Sequence, residues 1–325
     1  MSWLASKRIT VTGGAGFLGS HVVNRLQDLG CRDIFVPRST DYDLTRMNDV
    51  VRMYEDARPE VVIHLAAKVA GIGYIKERPG EFFYDNIMMG VQVMDQAWRL
   101  GVEKFVAISS ACAYPKDAPL PFREEDLWCG YPEETNAPYG LAKRMLTVQA
   151  QAYRQQYGFN AISLIQANLY GPLDNFDPAS SHVIPALVRR CVEAIEEGCD
   201  TLEVWGTGDP SREFLYVEDA AEAIALATER YNGAEPVNIG SGREVTIREL
   251  VDTIVKLTGF RGGVVWDPSK PDGQPRRRLD TSKAKREFGF EAKTPLELGL
   301  KKTIDWYVGQ REQSKPRRAV QKGAR

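Results

Sequence analysis

RITVTGGAGFLG, residues 8–19, is a short strand that breaks into three evenly spaced glycines. Arg8 to Val11 is rich in β-branched residues, and a helix pattern opens at Phe17. Between them Gly13, Gly16 and Gly19 recur every third residue. That spacing permits a tight turn, close approach of the backbone to a pyrophosphate, and a helix packed on the sheet. The helix N-terminus adds unpaired amides and a partial positive charge. A glycine triplet alone marks only a turn; at the first strand-to-helix junction it predicts dinucleotide binding.

Outward from this junction the chain keeps alternating. Asp33–Val36, Val61–Leu65, Lys104–Ile108 and Asn160–Ile165 read as further strands, and Phe17–Leu29, Phe82–Leu100 and Tyr139–Tyr157 as amphipathic helices. The expected fold class is α/β: a doubly wound parallel Rossmann sheet over residues 1–172, then a smaller C-terminal α+β lobe over residues 173–312. In that lobe helices are expected at Val183–Gly198, Val217–Tyr231, Thr246–Thr258 and Thr294–Arg311, with strands at Leu202–Trp205, Val237–Ile239 and Gly263–Trp266. Residues 313–325 are basic and aperiodic, and read as a solvated tail.

Composition narrows the function. The 325 residues carry 42 Lys plus Arg against 44 Asp plus Glu, so no broad field favours nucleic acid or an anionic membrane, and no apolar run approaches a bilayer span. Three histidines and five cysteines show no metal-ligand spacing, so no metal is expected. Scattered cysteines and a start that runs almost directly into the first strand fit a cytoplasmic protein.

The second strand chooses between dinucleotides. An NAD site usually ends this strand in an acid that bonds the ribose 2′-hydroxyl, whereas here Val36-Pro37-Arg38-Ser39-Thr40 precedes the first acid, Asp41. Arg38 is suited to a 2′-phosphate, which favours NADP(H).

Tyr139 and Lys143 stand at i and i+4, on one helical face. A lysine there is expected to favour tyrosinate and lower the phenol pKa, making the tyrosine an acid or base toward a carbonyl. Among 13 tyrosines it is the only one with Lys four residues on. The fourth strand ends in Ser109 and Ser110 at the carboxyl edge of the sheet, where a serine hydroxyl can bond a substrate carbonyl.

TGGAGFLG (12–19), HLAA (64–67), SSACAYP (109–115), YGLAK (139–143) and NLYGP (168–172), in this order, resemble the extended short-chain dehydrogenase/reductase family over nearly the whole chain. SHVIPAL (181–187), VWGTGDPSREF (204–214) and KPDGQPR (270–276) are similar to its members that act on GDP-4-keto-6-deoxy sugars, epimerising C3 and C5 and reducing C4 with NADPH. The resemblance implies Ser110, Tyr139 and Lys143 as a reductase triad, and Cys112 with His182 as the pair that moves protons. Without the family, Cys112 is an ordinary small buried side chain and His182 a loop or cap histidine. The chemistry agrees with the implied roles. Hydrogens at C3 and C5 flank a ketone, so removing either gives an enolate that Ser110 and Tyr139 can stabilise.

The same resemblance implies cofactor contacts from Gly13, Gly16, Phe17, Leu18, Gly19, Arg38, Leu65, Ala66, Ala67, Ser109, Tyr139, Lys143, Asn168, Leu169 and His182. For a GDP-sugar it implies Asn168, Arg190, Trp205, Arg212, Lys270 and Asp272, the cations suiting the diphosphate. One departure is Ala15, where some members carry an arginine for the 2′-phosphate. The family also implies a homodimer through the helices near 82–100 and 139–157. Three other readings stand beside this one: a GDP-sugar epimerase with bound NAD and no net reduction, a nucleotide-sugar 4-reductase, and a non-catalytic dinucleotide sensor.

Overall fold

A computed structural model describes residues 2–270 and 272–314, so the tail expected at 313–325 lies almost wholly outside the described residues. The first half runs β1 (Ile9–Thr12), α1 (Phe17–Asp28), β2 (Ile34–Phe35), α2 (Met47–Ala57), β3 (Val61–His64), α3 (Ile72–Glu77), α4 (Pro79–Arg99), β4 (Lys104–Ser110), α5 (Ala137–Tyr157), β5 (Ala161–Gln166) and β6 (Asn168–Tyr170). The second half adds α6 (Val183–Glu197), β7 (Thr201–Trp205), β8 (Ser211–Tyr216), α7 (Val217–Arg230), β9 (Val237–Ile239), β10 (Glu244–Thr246), α8 (Ile247–Thr258), β11 (Gly263–Asp267), β12 (Arg276–Arg277), α9 (Ser282–Phe288) and α10 (Leu296–Ser314).

Six parallel strands in the order β2-β1-β3-β4-β5-β9 form the main sheet, as the alternating pattern implies. Successive strand residues face opposite cores. Ile63 and Val106 pack with Val22 and Leu26 of α1 and Ile224 of α7. Their neighbours Val62, Phe105 and Ala107 pack with Met53 of α2, Met94 of α4 and Leu146 of α5. Each fully buried side chain of this kind contributes about 1.5–3 kcal/mol, so a sheet covered on both faces is the stable arrangement. Strand order reverses between β1 and β3, and the crevice for a ligand opens above that point.

The chain does not leave this layer at residue 172. β9 returns to the main sheet beside β5, and α7 packs on α1. The remaining elements build a second unit. β8 lies between β10 and β12 and also pairs with β6, while β7 and β11 form a two-stranded parallel ribbon. Its core joins Ile184 and Val188 of α6 with Leu250 and Ile254 of α8 and Leu300 and Ile304 of α10.

Candidate active site

One cleft of about 1570 Å³ runs between the two units. That exceeds the few hundred to about 1,000 Å³ typical of a single small-molecule site, and leaves room for two nucleotides. Every expected site residue lines it except Lys270, whose ammonium stands 5.4 Å from the ring of Trp205 at the rim.

The glycine loop forms one end. Gly13 has φ +72°, and a Cβ on it would stand 2.8 Å from the Ala66 backbone nitrogen across the switch point. Gly16 caps α1 with no side-chain hydrogen bond, so the first-turn amides keep no side-chain partner. Arg38 is exposed on the same wall. A bare backbone cradle, an uncapped helix start and a nearby cation are what a pyrophosphate and a 2′-phosphate require.

At the centre, β4 runs into a tight turn at Ala111–Ala113. The Ser110 hydroxyl oxygen accepts from the Cys112 amide at 3.2 Å, which fixes it and leaves its proton to donate into the cleft. Ser109 instead donates to the Lys143 carbonyl at 3.2 Å and ties β4 to α5. Arg144, absent from the expected set, donates to the Ala113 and Gly130 carbonyls and anchors the turn against α5. Its only sequence signal is adjacency to Lys143.

Tyr139 and Lys143 share a buried face of α5, with the ammonium 6.0 Å from the phenol ring. The expected lowering of the phenol pKa is not met. Burial raises the Tyr139 pKa, the Cys112 sulfur adds to the rise, and the Ser110 hydroxyl opposes it. Burial also brings Lys143 down to about 8. In the protein alone, desolvation of each group outweighs the attraction that helical spacing suggests.

His182 stands at the N-terminus of α6. Its ring meets solvent through the cleft mouth yet is surrounded by protein, and that burial lowers its pKa from the ordinary value. The loop before it is held across the cleft by a hydrogen bond from the Gly71 amide to the Ser180 carbonyl, 2.9 Å. The other histidines are structural: His64 Nδ1 meets the Thr12 hydroxyl at 2.8 Å inside the sheet, and His21 Nε2 meets the Pro172 carbonyl at 3.0 Å.

At the far end Trp205 is 61 % exposed, so it offers an aromatic face and is no core residue. The Asp272 carboxylate accepts from the Thr207 amide and hydroxyl, each at 2.8 Å, so both its oxygens already hold the 204–214 loop. Arg190 and Arg212 both reach the cleft; Arg212 donates to the Asp272 carbonyl at 3.2 Å, and burial lowers its pKa to about 10. A second buried arginine, Arg277, donates to the Cys112 sulfur at 3.3 Å. The sequence signalled it only as the residue after KPDGQPR.

A family model described as "Epimerase: NAD dependent epimerase/dehydratase family" matches residues 9–240. "GDP-L-fucose synthase 1" of Arabidopsis thaliana is 44% identical over 303 residues, 93% of this chain and 94% of that protein. The crystal structure of a GDP-L-fucose synthetase from Naegleria fowleri bound to NADP superposes with a TM-score of 0.86 at 30% identity, covering 97% of this chain and 98% of that one. A GDP-6-OMe-4-keto-L-xylo-heptose reductase from C. jejuni superposes with a TM-score of 0.89 at 27% identity, covering 95% and 100%.

Proposed function

Because this chain belongs to the NAD dependent epimerase/dehydratase family, we propose that it is a GDP-L-fucose synthase. It epimerises GDP-4-keto-6-deoxy-D-mannose at C3 and C5 and reduces the C4 ketone to give GDP-L-fucose. The observation that carries this reading is a single cleft lined by Ser110, Tyr139 and Lys143 together with Cys112 and His182. A sensor needs only the glycine loop, and a plain reductase has no use for the thiol and imidazole beside the triad.

Residues 1–172 hold mainly NADP(H) and residues 173–312 mainly the GDP-sugar. The backbone around Gly13, Gly16 and Gly19 cradles the pyrophosphate, and Arg38 takes the 2′-phosphate. Arg190, Arg212 and Lys270 neutralise the substrate diphosphate, while Trp205 offers a stacking face to the base. NADPH, when bound, supplies the hydride for C4. Ser110 donates a hydrogen bond to the C4 oxygen, and Tyr139 gives it a proton as the ketone is reduced. Lys143 restrains and repolarises the phenol. Cys112 and His182 take and return the proton on opposite ring faces. A lowered pKa makes the His182 imidazolium a stronger proton donor.

A second copy of the chain docks on α4 and α5, whose outer face exposes Phe83, Tyr84, Val91 and Val148. Cytoplasmic residence belongs to the same reading and is supported by five unpaired thiols. No helix among the described residues is long and apolar enough to cross a membrane. The test is a panel of GDP-, UDP- and dTDP-4-keto-6-deoxy sugars with NADPH or NADH, followed by product stereochemistry. Turnover confined to the GDP-mannose-derived ketone with NADPH supports the proposal; a UDP or dTDP preference, or product retaining the C3 and C5 configuration, refutes it.

A further inference from the structure

We infer that Arg144 is a positioning residue for proton transfer rather than for hydride transfer, acting by holding the turn on which Cys112 stands. Arg144 follows Lys143 on α5 and is only 7 % exposed. Its Nε and Nη2 both donate to the Ala113 carbonyl, Nε at 3.0 Å, and Nη1 donates to the Gly130 carbonyl at 3.0 Å. A cation buried this deeply needs its N–H groups satisfied, and here backbone carbonyls satisfy them. The guanidinium thereby joins three pieces of chain. They are the catalytic helix, the end of the Ala111–Ala113 turn, and the segment that comes back beside that turn, where the Lys116 amide donates to the Tyr131 carbonyl at 3.0 Å.

The two halves of the site depend on this clamp unequally. Ser110 is the last residue of β4 and pairs in register with Gln166 of β5, while Tyr139 and Lys143 are fixed within α5, which Ser109 ties to β4. Cys112 lies beyond the ladder. Its backbone is placed by the turn, which Arg144 pins at its end and which meets α5 at Gly140. Removing the guanidinium therefore moves Cys112 more than the triad. The consequence rests on the epimerase reading. A C3 or C5 hydrogen is acidic only while C4 is a ketone: the C–H bond breaks, its electron pair delocalises onto the C4 oxygen, and a proton returns to carbon from the other face. Hydride addition at C4, with protonation of the oxygen, ends that acidity. A misplaced Cys112 beside an intact triad thus shifts the balance toward ketone reduced before inversion.

The test compares the full chain as wild type, Arg144→Met and Arg144→Lys on GDP-4-keto-6-deoxy-D-mannose. Deuterium entry from deuterated water at C3 and C5 is timed with NADP⁺, which permits no reduction, and NADPH oxidation is timed separately. In Arg144→Met the ratio of the two rates is expected to fall about tenfold while NADPH affinity stays unchanged, and Arg144→Lys, which keeps the charge and its donors, recovers it to within roughly threefold of wild type. Exchange and reduction that decline in step, or that do not change, overturn the inference, because a merely structural role lowers both alike. Wild type that takes up no deuterium refutes the epimerase reading instead, and a measurement on the substrate-free chain then decides. Amide hydrogen exchange of the peptide spanning residues 109–115 is expected to quicken about tenfold in Arg144→Met while that of residues 8–19 stays the same. Equal protection of 109–115 in both proteins overturns the inference. If Arg144→Met does not fold, Arg144→Lys carries both measurements with a shift of roughly threefold in each, and wild-type values overturn the inference equally.

Discussion

Gly140 lies so close to Cys112 that a Cβ on it would stand 2.3 Å from the Cys112 carbonyl oxygen. This contact seats α5 on the turn after β4, and it brings Tyr139 and Cys112 into one site. Gly140→Ala must push the helix or the turn away. The expected cost is about 1–3 kcal/mol of stability from overpacking and about a hundredfold in kcat from the displaced phenol. Urea unfolding and steady-state kinetics check both. Wild-type kcat in a stable Gly140→Ala protein shows that the approach has no catalytic consequence.

Lys143 sets activity against stability. Its pKa is about 8 in the folded protein against 10.5 ordinarily, so the unfolded chain binds the extra proton between those values. Stability therefore rises with pH across that window, and the full penalty is present below pH 8. Lys143→Met is expected to stabilise the protein at neutral pH by about 1–3 kcal/mol while abolishing ketone reduction. The gain fades as pH approaches 10.5. Thermal melts across that range test it; a gain independent of pH assigns the effect to packing.

In the proposed function Arg38 is the cation that meets the 2′-phosphate, and Ala15 offers no second one in the glycine loop. Arg38→Ala is expected to weaken NADPH binding about tenfold or more and leave NADH nearly unchanged. Fluorescence titration with each dinucleotide measures this. Equal losses for both would place Arg38 on a part of the cofactor that the two share.

The main sheet was legible because each strand is bounded by turns and each long helix carries an apolar stripe. α2, α3 and α9 escaped, as did β6, β8, β10 and β12. Of these strands β6, β10 and β12 run only two or three residues, and it is pairing with β8 that makes them strands. At the site the glycine loop and the Tyr139–Lys143 spacing are local and could be read directly. Arg144 and Arg277 act through partners 31 and 165 residues away, a relation that no local pattern encodes. The pKa of Tyr139 went the other way for a related reason: spacing reveals the neighbouring charge, whereas burial depends on the whole fold.

The central claim is that one cleft both moves protons at C3 and C5 and reduces C4. It is tested most directly by turning over GDP-4-keto-6-deoxy-D-mannose with NADPH in deuterated water, with wild type, Cys112→Ser and Tyr139→Phe side by side. The account predicts one NADPH oxidised per GDP-L-fucose and deuterium at C3 and C5 in the wild type. It also predicts exchange lost in Cys112→Ser, and exchange without NADPH oxidation in Tyr139→Phe. Product formed without NADPH consumption, or deuterium entering undiminished in Cys112→Ser, contradicts it.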